Sequence, residues 1–161
     1  LDGLPMGRRC GNLDPGVILY LLQQRGWTAE QIQDLVYKQS GLYGVSGISD
    51  DMGDLLSSQA PAAEEAVALF CYRAARELGS LAAAIGGLDA IVFTAGIGEH
   101  ASEVRRRIAA QADWLGLRLD DAANRANAST ISAADSAVKA FVIPTDEERT
   151  IAEETRAVCG L

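Results

Sequence analysis

Residues 90–100 read AIVFTAGIGEH. Apolar and β-branched residues from Ile91 to Thr94 run straight into a Gly-x-Gly step that ends in Glu99-His100. A continuous apolar run of this length reads as a buried strand. Ser102 then opens a helix that ends near Gly116. The order is strand, glycine turn, helix. Open α/β sheets bind ligands at the carboxyl ends of their strands. Glycine lets backbone approach a ligand closely, and free N–H groups at a helix start attract phosphate. The spacing is neither a full Walker A loop nor GxGxxG, so a tight strand-to-helix turn explains this motif equally well.

Working outward, residues 61–85 carry a long helical pattern with Val67, Leu69, Phe70, Ala74, Leu78, Leu81 and Ile85 on a broad apolar face. Residues 120–128 allow a short helix, and Ala137 to Ile143 form a second strand. Thr145 or Asp146 caps a last helix that ends at Gly160. Toward the start, Asp14-Pro15 begins a helix that Gly26 stops. Thr28 and Gln31 form a capping box for a second helix, with Ile32, Leu35 and Val36 on one face. Residues 40–51 (SGLYGVSGISDD) have no period and read as a structured loop in which Leu42, Tyr43, Val45 and Ile48 seek burial. Asp51 to Leu56 reads as a short helix. Helices alternating with strands from residue 61 onward call for an α/β fold with parallel strands joined by helical crossovers. Two strands make an uncomfortable sheet. Further strands are therefore expected within 1–13 and 40–49, or in chain beyond these 161 residues.

The 161-residue length suits one domain, and 48% apolar residues allow a real core. No apolar run reaches the roughly 18 residues of a membrane helix, and no signal peptide is visible. The first residue is Leu, which reads as processing or truncation. A net charge of −8 without a basic stripe argues against nucleic acid and anionic membranes. Cys10, Cys71 and Cys159 lie far apart without a CxxC, which suggests reduced thiols and a cytoplasmic setting. His100 is the only histidine, so a His-rich metal site is excluded, and nothing near it resembles a nucleophile elbow.

Several other stretches carry chemistry. Met6-Gly7-Arg8-Arg9-Cys10-Gly11 sets two arginines between glycines in an acidic chain. A guanidinium fork matches phosphate or carboxylate, and in phosphoryl transfer it stabilises the moving group; a surface ion pair is the plainer alternative. Pro144-Thr145-Asp146-Glu147-Glu148 puts acids at a helix start, where the dipole favours them, and also at the end of the second strand, where Mg²⁺ could bind. Both strand ends would then face one crevice. The acids of Ser49-Asp50-Asp51-Met52-Gly53-Asp54 read first as a helix cap. Arg105, Arg106 and Arg107 read mostly as a solvated face.

Together LDGLPMGRRCGNLDPG, GLYGVSGISDDMGDL, LDAIVFTAGIGEHASEVR and VIPTDEERTIAEET resemble the acetokinase family, in the family's order and along the whole chain. The resemblance implies a ribonuclease-H-like (actin-like ATPase) carboxyl-terminal domain, incomplete here, with parallel strands flanked by helices. Residues 1–161 would be part of that nucleotide-binding domain. It implies ATP or ADP and acetate as substrates, Mg²⁺ as cofactor, a homodimer, and no nucleic-acid or membrane partner; propionate and butyrate kinases are relatives. By match to the family's motifs, Arg9 would be the transition-state arginine. Gly96, Ile97, Gly98, Glu99 and His100, with Asp51, Met52 and Gly53, would bind nucleotide. Glu147 would be the Mg²⁺ carboxylate, and Arg105 an arginine near the active site.

The chain departs from the family's pattern at specific places. Arg8 stands where the family usually has Thr, and His100 where it usually has Asn. Gly53 stands where the family has an arginine that contacts the nucleotide. The family's amino-terminal half, with its catalytic aspartate, active-site histidines and His-Leu-Gly-Asn-Gly loop, has no counterpart here. The resemblance therefore implies a kinase fragment without activity of its own.

Overall fold

The computed structural model describes residues 2–160, apart from the side chain of Glu147. Its helices, in order, are α1 (Pro15–Gln23), α2 (Ala29–Lys38), α3 (Gly41–Ser46), α4 (Met52–Ser57), α5 (Pro61–Ile85), α6 (Ala95–His100), α7 (Ser102–Gln111), α8 (Asp121–Arg125) and α9 (Glu147–Cys159). Strand β1 (Ala90–Phe93) lies between α5 and α6, and β2 (Lys139–Val142) precedes α9. No helix among the described residues is long and apolar enough to cross a membrane.

The helix starts follow their caps. Asp14 accepts from the Gly16 N–H with Pro15 at the first helical position. Thr28 and Gln31 bond reciprocally in a capping box. Asp51 accepts from Gly53 and Asp54, and Asp120 from Ala122 and Ala123. At α9 the cap is Asp146, which accepts from the Arg149 N–H. Thr145 is thereby left for another task.

Long α5 is the spine. It packs against α3, α4 and α7. Its buried stripe is Ala63, Ala66, Val67, Phe70, Cys71 and Ala82. The broad face expected from the sequence is narrower than its apolar residues imply: Leu69, Leu81 and Ile85 are exposed. Leu69 lines an open pocket beside Gly41, Gly44 and Val45 of α3, whereas around Leu81 and Ile85 only Ala82 on the opposite face is buried. Small residues at 63 and 66 let neighbouring backbones approach, and burial pushes the Cys71 thiol up to about 11.

β1 and β2 pair in parallel, with Ile91 opposite Ala140 and Phe93 opposite Val142. On its other side β2 is flanked by residues 129–131, through Ile131 N–H to Ala140 O and Val142 N–H to Ser129 O. Among the described residues no strand forms within 2–13 or 40–49. The latter segment holds α3 instead of the expected loop. Leu42 buries itself in the core and overrides a composition poor in helix formers, while Tyr43 and Ile48 stay exposed. β1 is also less buried than its run of apolar residues implies, because Val92 is 48% exposed among the described residues. The glycine turn is itself a short helix, α6.

The three consecutive arginines part company because successive helical residues point about 100° apart. Arg106 pairs with Glu103, and Arg107 bridges Glu103 and Glu64, tying α7 to α5. Arg105 turns inward and is fully buried, which corrects the solvated reading. Its Nε donates to Asn124 Oδ1 at 2.7 Å, and its Nη2 to the Asn124 carbonyl and Asn127 Oδ1. Its Nη1 donates to the carbonyls of Gly98 (2.8 Å) and Glu99 (2.9 Å). All these acceptors are neutral. Arg105 thus clamps the end of α6 to the 124–127 segment.

Replacing Arg105 with Met should cost roughly 2–5 kcal/mol, because several acceptors lose their donor at once. Urea unfolding checks this, and a loss below about 1 kcal/mol contradicts the clamp. A second test uses pH. Arg106 and Arg107 hold the Glu103 carboxyl down at about 2, from an ordinary 4.5. A depressed carboxylate stabilises the fold above its unfolded value and loses that contribution as pH falls toward its folded one. The stability gap between wild type and Glu103→Gln should therefore be full near neutral pH and shrink from about 4.5 down to about 2. A gap that is flat over that range contradicts this.

Candidate functional site at the strand ends

Because β1 and β2 run in parallel and in register, their carboxyl ends deliver two segments to the same place. From β1 come Thr94 and α6. From β2 come residues 143–146 and the start of α9. Thr145 joins them. Its hydroxyl hydrogen-bonds that of Thr94 and accepts the Ala95 N–H at 3.1 Å. Its own N–H donates to Glu99 Oε1 at 2.9 Å. Ala95, Gly96, Glu99, Thr145, Asp146 and Glu148 then line a polar cavity of about 490 Å³. The convergence expected from the two motifs is present.

Ala95 adopts a left-handed conformation, φ 57°, which a residue with a Cβ rarely takes. Such strain persists only where neighbours hold it, and here Thr145 holds the Ala95 N–H. The two glycines differ in what they permit. A Cβ on Gly98 would meet the Phe93 backbone at 3.2 Å, so this glycine lets α6 lie against β1. A Cβ on Gly96 would meet nothing within 4 Å. Gly96 leaves space that no part of the described protein uses, and that space borders the cavity. Ile97 is half-buried against the core, and His100 is exposed at the end of α6.

The other expected residues are distributed as follows. Asp51 spends its side chain capping α4. Met52 is in the core, so only its backbone faces outward, and Gly53 is exposed. Residues 51–53 do not line the strand-end cavity. Arg9 sits with its guanidinium carbon 5.3 Å from the Tyr37 ring centre. Its buried Nε has no hydrogen-bond partner among the described residues. A buried donor without an acceptor fits an anionic ligand. Arg8 pairs with Asp50 at 2.6 Å and holds that carboxyl below the usual range. The Glu147 side chain lies outside the described residues. Among those described, no cluster of three or more His, Cys, Asp or Glu could hold a metal.

The sequence placed Thr94 in the glycine motif and offered Thr145 as a helix cap but not their contact with each other, and it did not single out Asn124 or Asn127. The threonines carried one faint signal, their position just after each strand, where side chains reach across to the neighbouring element. Asn124 and Asn127 carried none: both receive Arg105, Asn124 also donates to the Ser102 carbonyl at 2.9 Å, and Asn127 turns the chain at φ 51°.

Comparison with known proteins identifies the family. The acetokinase family matches residues 1–153. An acetate kinase of Rhodopseudomonas palustris is 65% identical over 154 residues, covering 94% of this chain and 39% of that protein. One of Methylocella silvestris is 52% identical over 158 residues, covering 98% and 39%. The crystal structure of Porphyromonas gingivalis acetate kinase superposes with a TM-score of 0.87 at 36% identity, covering 98% of this chain and 41% of that one. A propionate kinase from Francisella tularensis superposes at 0.88 with 35% identity, covering 95% and 40%. The chain spans about two fifths of the length of these relatives. With strand–glycine–helix geometry, a matched family over nearly its full length and close relatives of one kind, the chain belongs to the acetokinase family.

Proposed function

We propose that residues 1–161 form part of the carboxyl-terminal nucleotide-binding domain of a kinase that reversibly transfers the γ-phosphoryl of Mg·ATP to acetate, giving acetyl phosphate and ADP. The observation that carries this reading is the polar cavity between Gly96–Glu99 and Thr145–Glu148, in a chain of this family. The open space at Gly96 suits close approach of a nucleotide. Ile97, Gly98 and His100 complete that seat, and Asp51, Met52 and Gly53 are proposed to meet the nucleotide from α4. The relatives' similarity extends to a propionate kinase, so a longer acyl group is the second reading.

In the transfer, a carboxylate oxygen of acetate attacks the γ-phosphorus as the bond to the β-phosphate oxygen breaks, and ADP leaves. Little covalent chemistry falls to the protein; its work is positioning and charge stabilisation. Arg9 would hold the equatorial oxygens of the moving group, and its unpartnered Nε supports that role. The polar side chains along the cavity, those of Thr145, Asp146, Glu148 and Glu99, offer oxygen, the donor kind Mg²⁺ takes, although the described residues form no metal-holding cluster by themselves. Glu147 is proposed as its carboxylate, and Mg²⁺, when bound, neutralises charge on the phosphates.

By itself this chain is proposed to be inactive, since the relatives carry about three fifths of their length beyond it. The intact protein is proposed to be a cytoplasmic homodimer. Three free cysteines support the setting. Support for association comes from α1, which buries none of its residues and exposes Val17, Leu19, Tyr20 and Leu22.

Calorimetric titration of the chain with ADP and Mg²⁺ tests the seat. Gly96→Val should weaken binding by roughly tenfold, about 1.4 kcal/mol, without lowering the unfolding midpoint. Equal affinity in the variant contradicts the assignment. Gly53→Arg should tighten ADP by roughly 1 kcal/mol, since a guanidinium adds charge and a stacking plane; unchanged affinity removes Gly53 from the nucleotide site.

A further inference from the structure

The turn that carries Arg9 is held by backbone. The carbonyls of Met6, Gly7 and Arg8 accept from the N–H groups of Leu42 (2.9 Å), Tyr43 (2.9 Å) and Ser40 (3.1 Å). The two segments are in close contact: a Cβ on Gly7 would lie 2.8 Å from the Asp50 carbonyl oxygen, and one on Gly41 only 2.1 Å from that of Met6. From this turn two guanidinium groups diverge. Arg8 donates through Nε to Asp50 Oδ2 at 2.6 Å, and its guanidinium carbon lies 4.8 Å from the Tyr43 ring centre. Arg9 rests on Tyr37 and makes no side-chain hydrogen bond among the described residues. Asp50 in turn precedes Asp51, the cap of α4.

We infer that Arg8 is a positioning residue: its ion pair with Asp50 ties the 6–9 turn to the segment that starts α4, and so fixes the aim of Arg9 relative to residues 51–53. Both partners are nearly half exposed, at 49% and 44%, so the pair adds little to stability. Its effect is directional. With Arg8 fixed at both ends of its side chain, the adjoining backbone loses freedom, and Arg9 is ordered before an anion arrives. That Arg9 acts on a transferring phosphoryl group rests on the kinase function proposed above. The tether itself is a property of this chain and is testable without it.

Two readouts separate these. In the ¹⁵N-labelled 161-residue chain, the Arg9 Nε–H resonance should be displaced by the Tyr37 ring. Arg8→Ala and Asp50→Ala should each move it toward free arginine, and the double variant no further. Arg8→Lys, which keeps the charge, should recover part of the displacement. Asp50→Asn replaces Asp50→Ala if the latter does not fold. An unmoved resonance, or shifts that add in the double variant, would overturn the tether. In a full-length kinase carrying this sequence, the same variants should lower kcat roughly tenfold to a hundredfold with the KM for ATP nearly unchanged, as misplacement of a reacting group does. Unchanged kcat in an active enzyme also overturns the inference. A full-length wild type without kinase activity would instead refute the proposed function and leave the Arg9 resonance to decide the tether.

Discussion

The site depends on the contacts of Thr145. Parallel pairing brings the ends of β1 and β2 side by side, but pairing alone stops at Phe93 and Val142. Beyond them the chain must turn into α6 on one side and toward α9 on the other, with backbone groups left to satisfy. Thr145 satisfies both sides at once, through Thr94, Ala95 and Glu99. It also holds Ala95 in a conformation that an alanine would not choose. Of the side-chain hydrogen bonds among the described residues, those of Thr145 are the stitch that joins the start of α6 and Glu99 to the segment that enters α9.

Behind the stitch stands a second restraint of a different kind. Arg105 is buried with neutral acceptors only, an expensive arrangement that survives because every nitrogen is used. It grips the carbonyl end of α6, while Thr145 grips the other end. Helix α6, six residues long, could not hold its shape by propensity. Fixed at both ends, it presents Gly96 to the cavity and sets Gly98 against Phe93. α5 and α7 support the whole from below through small buried residues and the Arg107–Glu64 bridge.

Much of this was legible in the sequence. The caps at Asp14, Thr28 and Asp51 follow from local chemistry, and so do both strands and the span of α5. The residues that went astray share one cause, which is that tertiary packing decided them. Segment 40–46 became helical because Leu42 had a core to enter. Leu81 and Ile85 stayed exposed because at that end of α5 only the face that carries Ala82 is covered by described residues. Arg105 could not be told from Arg106 and Arg107 by charge, since only the helix phase sends one of three inward. The four motifs identified the family, whereas the difference between Gly96 and Gly98 needed coordinates: one is glycine for the sake of β1, the other faces open space.

A crystal structure of the chain with ADP and Mg²⁺ is the decisive measurement for the Thr145 stitch. The phosphates should lie between Gly96 and Thr145, with the Thr145 contacts to Ala95 and Glu99 retained and the Glu147 carboxylate near the metal. A nucleotide bound elsewhere, or one that enters only when those contacts break, would contradict it.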